Sequence, residues 1–274
     1  MNVRNLENIE FEKIITCFLL AFNDYFVEMP TDVEYYRQRW INAKVNFKLS
    51  YGMFEDELLV GFIIHAVDTR NGVLTAYNTG TGVLPEYRQK RIIQQLYTYA
   101  IPDLKLNKVE KCLLEVICTN TFAIKSYEAI DFKITRTLKC FQGQLNGAAI
   151  GEPLRERPPH EIDFAALPNQ QFYTWDNQKN SIVSNSEYRF FQIETKAEPE
   201  SYFIINDKNG YLAQFEIFEP YKSAQWRTLF NAIQSISPNI RINNVDSQFK
   251  EKIEFLKTIE MENTIDQFEM EMDL

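Results

Sequence analysis

The chain is poor in histidine and cysteine, the nitrogen and sulfur ligands of metals. It has two histidines, His65 and His160, and four cysteines, Cys17, Cys112, Cys118 and Cys140. A zinc site needs about four such ligands at short recurring spacings. Neither a C-x-x-C pair nor any other metal spacing occurs, so no metal is expected. The cysteines lie in apolar segments and read as buried thiols of a reducing compartment. Excess positive charge is missing as well: Lys and Arg number 29 against 38 Asp and Glu, a net charge of −9. That removes the basic footprint of general nucleic-acid binding and suits cationic partners such as amines. Long apolar runs are absent too. The longest near the start, residues 14–22, is too short to span a bilayer and lacks the basic start of a secretory leader. A cytoplasmic protein with no membrane and no nucleic-acid partner is expected.

What is present is ordinary globular material. Hydrophobic residues make up 45% of the 274 and charged residues 24%, enough for one large domain or two smaller ones. Phe11, Ile14, Ile15, Phe18, Leu19 and Phe22 recur at helical spacing and predict a helix over 8–22. Thr31 and Glu34 read as a capping box, with Thr31 the N-cap of a helix through Trp40. The stripe Tyr35, Tyr36, Trp40 suits core packing or the wall of a substrate pocket, core being the commoner use. Strands over 46–54 and 58–67 flank the turn Glu55-Asp56-Glu57, and a third covers 73–83. His65, inside an apolar strand, reads as structural. A helix over 90–106, bent or shortened by Pro102, precedes the strand 111–118, which is apolar except for Glu115. Asn120 caps a helix to Ile130, and a strand follows over 132–141.

Glycines and prolines between Gln144 and Glu161 mark a linker. Beyond it the same order returns in reduced form. A hairpin turns at Asn206-Asp207-Lys208-Asn209-Gly210, followed by helix 223–236, strand 240–245, helix 247–260 and strand 264–272. The segment I-D-F-K (130–133) aligns with I-E-M-E (259–262). The reading is a degenerate duplication: a domain over 1–143, a linker over 144–160 and a smaller lobe over 161–274.

The first half is organised by V-L-P-E-Y-R-Q-K-R-I-I, residues 83–93. A strand ends there in a short basic loop that opens a helix. The first-turn N–H groups of that helix lack intrahelical partners and lie at its positive dipole end, so the stretch offers a place for a pyrophosphate. Arg88, Lys90 and Arg91 add formal charge.

With its neighbours, this stretch resembles the GCN5-related N-acetyltransferase (GNAT) superfamily over about residues 8–143. The loop is similar to V-x-P-x-x-R-x-x-G-x-G/A. The strand L-L-E-V is followed by N-x-x-A-x-x-x-Y (Asn120, Ala123, Tyr127). The helix closes on Y-E-A-I-D-F, like Y-x-x-x-G-F. The resemblance implies an α/β (α+β) fold: a mixed, largely antiparallel sheet flanked by helices and splayed into a V, followed here by a smaller GNAT-like lobe. It implies acetyl-CoA as cosubstrate, with its pyrophosphate on Arg88, Gln89, Lys90, Arg91, Ile92 and Ile93. Backbone N–H groups near Val83 and Leu84 would polarise the thioester and hold the pantetheine arm, which Asn120 would contact as a further cofactor-binding residue. The sequence departs from the family where loop glycines fall at Gln89, Arg91 and Ile93, and where Asp131 replaces a helix-ending glycine.

Acetyl transfer to an amine requires an amine deprotonated, an oxyanion stabilised and a thiolate protonated. Glu115 precedes Tyr127 by the separation found in the alanine-acetylating ribosomal-protein acetyltransferases. That resemblance makes Glu115 the base and Tyr127 the general acid. A lysine-paired carboxylate and a core aromatic are the structural readings of the same two residues. In the second lobe Leu256 falls where Tyr127 stands, and F-E-P-Y-K-S-A-Q (218–225) replaces the basic loop. The expected function is an acetyl-CoA-dependent N-acetyltransferase, an acyltransferase acting by direct attack of a primary amine in a ternary complex. The acceptor is a small-molecule or peptide amine. The alternative is a non-catalytic acyl-CoA-binding or protein-interaction module, favoured by the missing glycines.

Overall fold

The computed structural model describes residues 1–147, 154–195, 198–218 and 223–274. The chain falls into two units: Met1–Thr135 with Glu269–Leu274, and Arg136–Phe268.

In the first unit, strand β1 (Asn2–Asn5) precedes helix α1 (Phe11–Ala21) and helix α2 (Val33–Asn42). The face of α1 carrying Ile14, Ile15, Cys17 and Phe18 is buried, as its spacing predicts. The N-cap of α2 is Asp32, whose side chain accepts the Glu34 N–H at 2.9 Å. Thr31, expected there, lies one residue too early. Aspartate caps as well as threonine does, so the sequence motif alone does not choose between them. Tyr36 and Trp40 are core residues, while Tyr35 is 44% exposed.

Strands β2 (Tyr51–Glu55), β3 (Leu58–Arg70) and β4 (Val73–Val83) form an antiparallel meander, with β1 on the free edge of β2. Its two turns use Asp56 (φ 52°) and Gly72 (φ 84°) in left-handed backbone. Helix α3 (Ile92–Leu106) runs unbroken through Pro102, its Leu96, Tyr97, Ala100 and Leu104 face buried. Tertiary packing of that face outweighs the loss of one helical hydrogen bond. Strand β5 (Lys111–Ile117) pairs parallel with β4, and helix α4 (Thr121–Glu128) follows. Strand β6 (Lys133–Gln144) begins in this unit and continues in the second. The unit is completed by residues 269–274. Met270 there is fully buried, Leu274 N–H donates to the Glu110 carbonyl at 2.8 Å, and Glu269 pairs with Arg70 at 3.4 Å.

The second unit starts within β6, which pairs antiparallel with β11 along residues 138–144. This pairing moves the boundary to Thr135/Arg136, ahead of the 143 expected from sequence. Within the expected linker 144–160 lie strand β7 (Leu154–Arg157) and the start of a 3₁₀ turn at Pro159, so part of that stretch is sheet. The remainder of the expected linker includes residues 148–153, outside the described residues. Helix α5 (Lys179–Val183) precedes strands β8 (Arg189–Thr195), β9 (Glu198–Asn206) and β10 (Tyr211–Ile217), an antiparallel set with β7. The sequence reading omitted β1, β7 and β8. β1 and β7, four residues each, are too short to show alternation, and the adjacent Phe190 and Phe191 interrupt it in β8. Gly210 turns β9 into β10 with φ 69°; a Cβ there would meet the Asn239 carbonyl oxygen at 2.0 Å, so only glycine fits. Helix α6 (Ser223–Ile236), strand β11 (Asn239–Asp246), helix α7 (Lys250–Thr258) and strand β12 (Glu262–Asp273) close the chain. Phe203, Leu212, Leu229 and Ile233 centre this unit's main core.

Three strands, a helix, a strand, a helix and a strand thus occur twice in the same order. The ends of the two repeats match in detail. Phe132 N–H bonds the Tyr127 carbonyl at 3.1 Å, and Met261 N–H bonds Leu256 at 3.0 Å. Asp131 (φ 73°) and Glu260 (φ 61°) both end their helices in left-handed backbone. Leu256 therefore stands where Tyr127 does. Of the expected counterpart of the basic loop (218–225), residues 219–222, with Glu219, Pro220 and Lys222, lie outside the described residues.

Candidate functional site

Strands β4 and β5 pair from Thr75↔Lys111 to Asn78↔Leu114 and no further. Yet β4 continues to Val83 and β5 to Ile117. Residues 79–83 and 115–117 therefore flank a gap in the sheet. A bulge at Thr79 in the β3–β4 ladder, between the pairs Ile64↔Gly80 and His65↔Asn78, marks where β4 parts from β5. A strand edge freed in this way can accept an extended ligand as an added strand.

Tyr127, on α4, is buried beside this gap, and its hydroxyl bonds to Thr81 and Asn78. Asn78 Nδ2 in turn donates to Thr81 Oγ1 at 2.6 Å and to Tyr97 Oη at 3.0 Å. Burial pushes the Tyr127 hydroxyl up to about 12; the bond to Thr81 opposes the rise and nearby Tyr25 adds to it. The group is a phenol at neutral pH and can donate a proton. Glu115 follows the last paired residue of β5 and is half-buried. Asn120 is the N-cap of α4: its Oδ1 accepts the Ala123 N–H at 3.2 Å, and its side chain also bonds to Tyr25. Asn78, Thr81 and Tyr25 were not singled out in the sequence. Asn78 alone left a signal there, as an amide in a strand of small and β-branched residues.

The loop between β4 and α3 keeps a glycine backbone without the glycines. Gln89 has φ 64° and Arg91 φ 54°, both left-handed. Arg91 is the N-cap of α3 and makes no side-chain capping bond. The side chains of Gln89, Lys90 and Arg91 point to solvent, Ile93 is half-buried, and Ile92 is in the core against Gly61. Side chains thus stay clear of the loop's concave backbone, which is what glycine would otherwise secure.

Two expected contributors are already engaged. Arg88 grips both carboxylate oxygens of Asp24 at 2.6 Å and donates to the Ala21 carbonyl at 3.0 Å. Its hydrogen bonds hold the Asp24 carboxyl below the usual range. Arg88 therefore fastens the loop to the end of α1 and is not a free cation. The Leu84 N–H donates to the Val60 carbonyl at 2.9 Å, so it is not an open oxyanion donor. Val83 lies opposite Gly61 in the β3–β4 ladder. Lys90 rests over the Tyr87 ring at 4.6 Å.

Among the described residues no helix is long and apolar enough to cross a membrane, and no group of three His, Cys, Asp or Glu is placed to hold a metal. No curated protein matches the chain by sequence. The profile of the acetyltransferase (GNAT) family matches residues 14–132. A tandem GNAT protein from the clavulanic acid biosynthesis pathway, solved without AcCoA, superposes with a TM-score of 0.70 at 9% identity, covering 99% of this chain and 98% of its own. A GCN5-related N-acetyltransferase from Sphaerobacter thermophilus gives 0.67 at 10% identity, over 99% and 95%. A GCN5-related N-acetyltransferase from Kribbella flavida gives 0.58 at 12% identity, over 98% and 70%. Over residues 14–132 the chain is therefore similar to the acetyltransferase (GNAT) family, and along nearly its whole length it shares its fold with a tandem GNAT protein.

Proposed function

We propose that the first unit is an acetyl-CoA-dependent N-acetyltransferase acting on a primary amine. The family match supports acyl transfer as the class of reaction. The observation that carries the finer reading is the Tyr127 phenol, held by Thr81 and Asn78 beside the gap where β4 and β5 part. Bound acetyl-CoA supplies the reactive thioester. The backbone of residues 89–93, at the N-terminus of α3, holds the pyrophosphate, with Lys90 and Arg91 contributing charge and Arg88 fixing the loop. The freed edge of β4 near Val83 takes the pantetheine arm. Glu115 accepts the proton of the incoming amine, directly or through water, and Tyr127 gives one to the departing sulfur. Asn120 keeps α4, and with it Tyr127, in place.

A non-catalytic acyl-CoA-binding or interaction module is the second reading. The prior engagement of Arg88 and of the Leu84 N–H favours it. Thermal unfolding with acetyl-CoA addresses both. A ligand bound only to the native state at a hundred times its Kd adds about 2.7 kcal/mol, and an upward shift of the midpoint is expected. No shift at millimolar acetyl-CoA would remove both the enzyme and the acyl-CoA-binding readings. A shift without turnover of any amine would leave only binding.

A further inference from the structure

The second unit has the same kind of gap, and the chain fills it. Strands β10 and β11 pair in parallel only at Tyr211↔Arg241, although β10 runs on to Ile217 and β11 to Asp246. Residues 170–177 bridge the two strands. The Tyr173 hydroxyl accepts the Phe215 N–H at 3.2 Å and reaches the Phe215 carbonyl at 3.3 Å. Asn177 ties both sides: its carbonyl accepts from Gln214 Nε2 at 2.6 Å, and its Nδ2 donates to the Asn243 carbonyl at 3.2 Å. Thr174 and Trp175 between them are fully buried. The Phe215 carbonyl also takes a bond from Lys252 Nζ at 3.3 Å, and Lys252 pairs with buried Glu216.

In the repeat these bonds fall on the strand that corresponds to β4. The N–H and C=O of Phe215 are the kind of groups an extended ligand would need in order to add itself as a strand. We infer that residues 170–177 are a built-in occupant of the second unit's cleft, taking the place of a ligand and closing that cleft to acyl-CoA. The inference rests on reading the gap of the first unit as the cofactor cleft. Burial of Trp175 and the polar bonds on both strands make the occupant part of the native core of this unit and not a lid, because releasing it would expose the indole and strand groups together. With Leu256 in place of Tyr127, the second cleft also lacks an acid to serve.

Hydrogen exchange on the full chain, read residue by residue, tests this. In the wild type the Phe215 amide is expected to be among the slowly exchanging ones. Tyr173→Phe, which removes only the hydroxyl, is expected to speed its exchange about tenfold, the size of one lost hydrogen bond. An unchanged Phe215 rate in that variant would overturn the inference. A second measurement needs no variant. With millimolar acetyl-CoA, residues 170–177 are expected to exchange as before, and one acetyl-CoA is expected per chain by calorimetry. Faster exchange over 170–177, or a second equivalent bound, would show a displaceable segment and overturn it too. Loss of acetyl-CoA protection at residues 89–93 would instead count against the proposed enzyme. The Phe215 result would still decide the occupant.

Discussion

At the scale of residues, His65 shows how the fold uses one of its two imidazoles. It is fully buried, with Nδ1 2.7 Å from the Leu49 carbonyl. Nε2 is buried with no hydrogen-bond partner among the described residues. Burial lowers its pKa to about 4, opposed only by the bond to Leu49. Between pH 4 and 6.5 the unfolded chain therefore binds a proton that the folded chain does not. The stability is full above pH 6.5 and falls as pH drops toward 4, by about 3 kcal/mol at 1.36 kcal/mol per unit. Urea midpoints across this range should show the loss in wild type and a flatter profile in His65→Leu. Tyr127 carries the chemical prediction. Tyr127→Phe is expected to lower kcat by about 10²–10⁴ with acetyl-CoA affinity nearly unchanged, since it removes a proton needed only in the transition state. A wild-type kcat with an accepted amine would end its role as the acid. Glu115→Gln should remove the acidic limb of the kcat/KM profile.

Among the elements, the β4–α3 loop is where sequence and backbone disagree. Left-handed backbone costs an L-residue roughly 1–2 kcal/mol, and Gln89 and Arg91 both bear it. Such strain persists where the surroundings fix it, commonly at functional sites. Arg88, clamped to Asp24, is one of the groups that hold the loop in this shape. Gln89→Gly, which leaves the charge unchanged, should raise stability by up to about 1 kcal/mol, since the relief of strain exceeds glycine's greater freedom in the unfolded chain. Chemical denaturation would measure it. An equal loss instead would mean that the Gln89 side chain makes a stabilising contact.

For the molecule as a whole, the first unit depends on residues from the far end of the chain. Met270 is fully buried in it, and Lys111 pairs with Glu271 at 2.5 Å. Met270→Ala should cost about 2–5 kcal/mol, as for other buried Met truncations. It should also lower the melting temperature of whatever acetyl-CoA stabilises. A change of under 0.5 kcal/mol would mean that residues 269–274 are dispensable to this unit.

Local chemistry determined much of this protein from the sequence alone. Helical spacing located α1, the turn residues located the β2–β3 and β9–β10 hairpins, and the order of elements revealed the repeat, because each signal is carried by neighbours in the chain. The family likeness, too, lay in contiguous motifs. Tertiary structure decided what depends on residues distant in sequence. Asp24 claims Arg88 from 64 positions away. Thr81 and Asn78 reach Tyr127, on helix α4, from strand β4. Residues 269–274 complete a unit that begins at Met1, and residues 170–177 fill the gap between β10 and β11. Hydrogen-bonding capacity can be read from a residue's type, but its partner is fixed only when folding brings the two together.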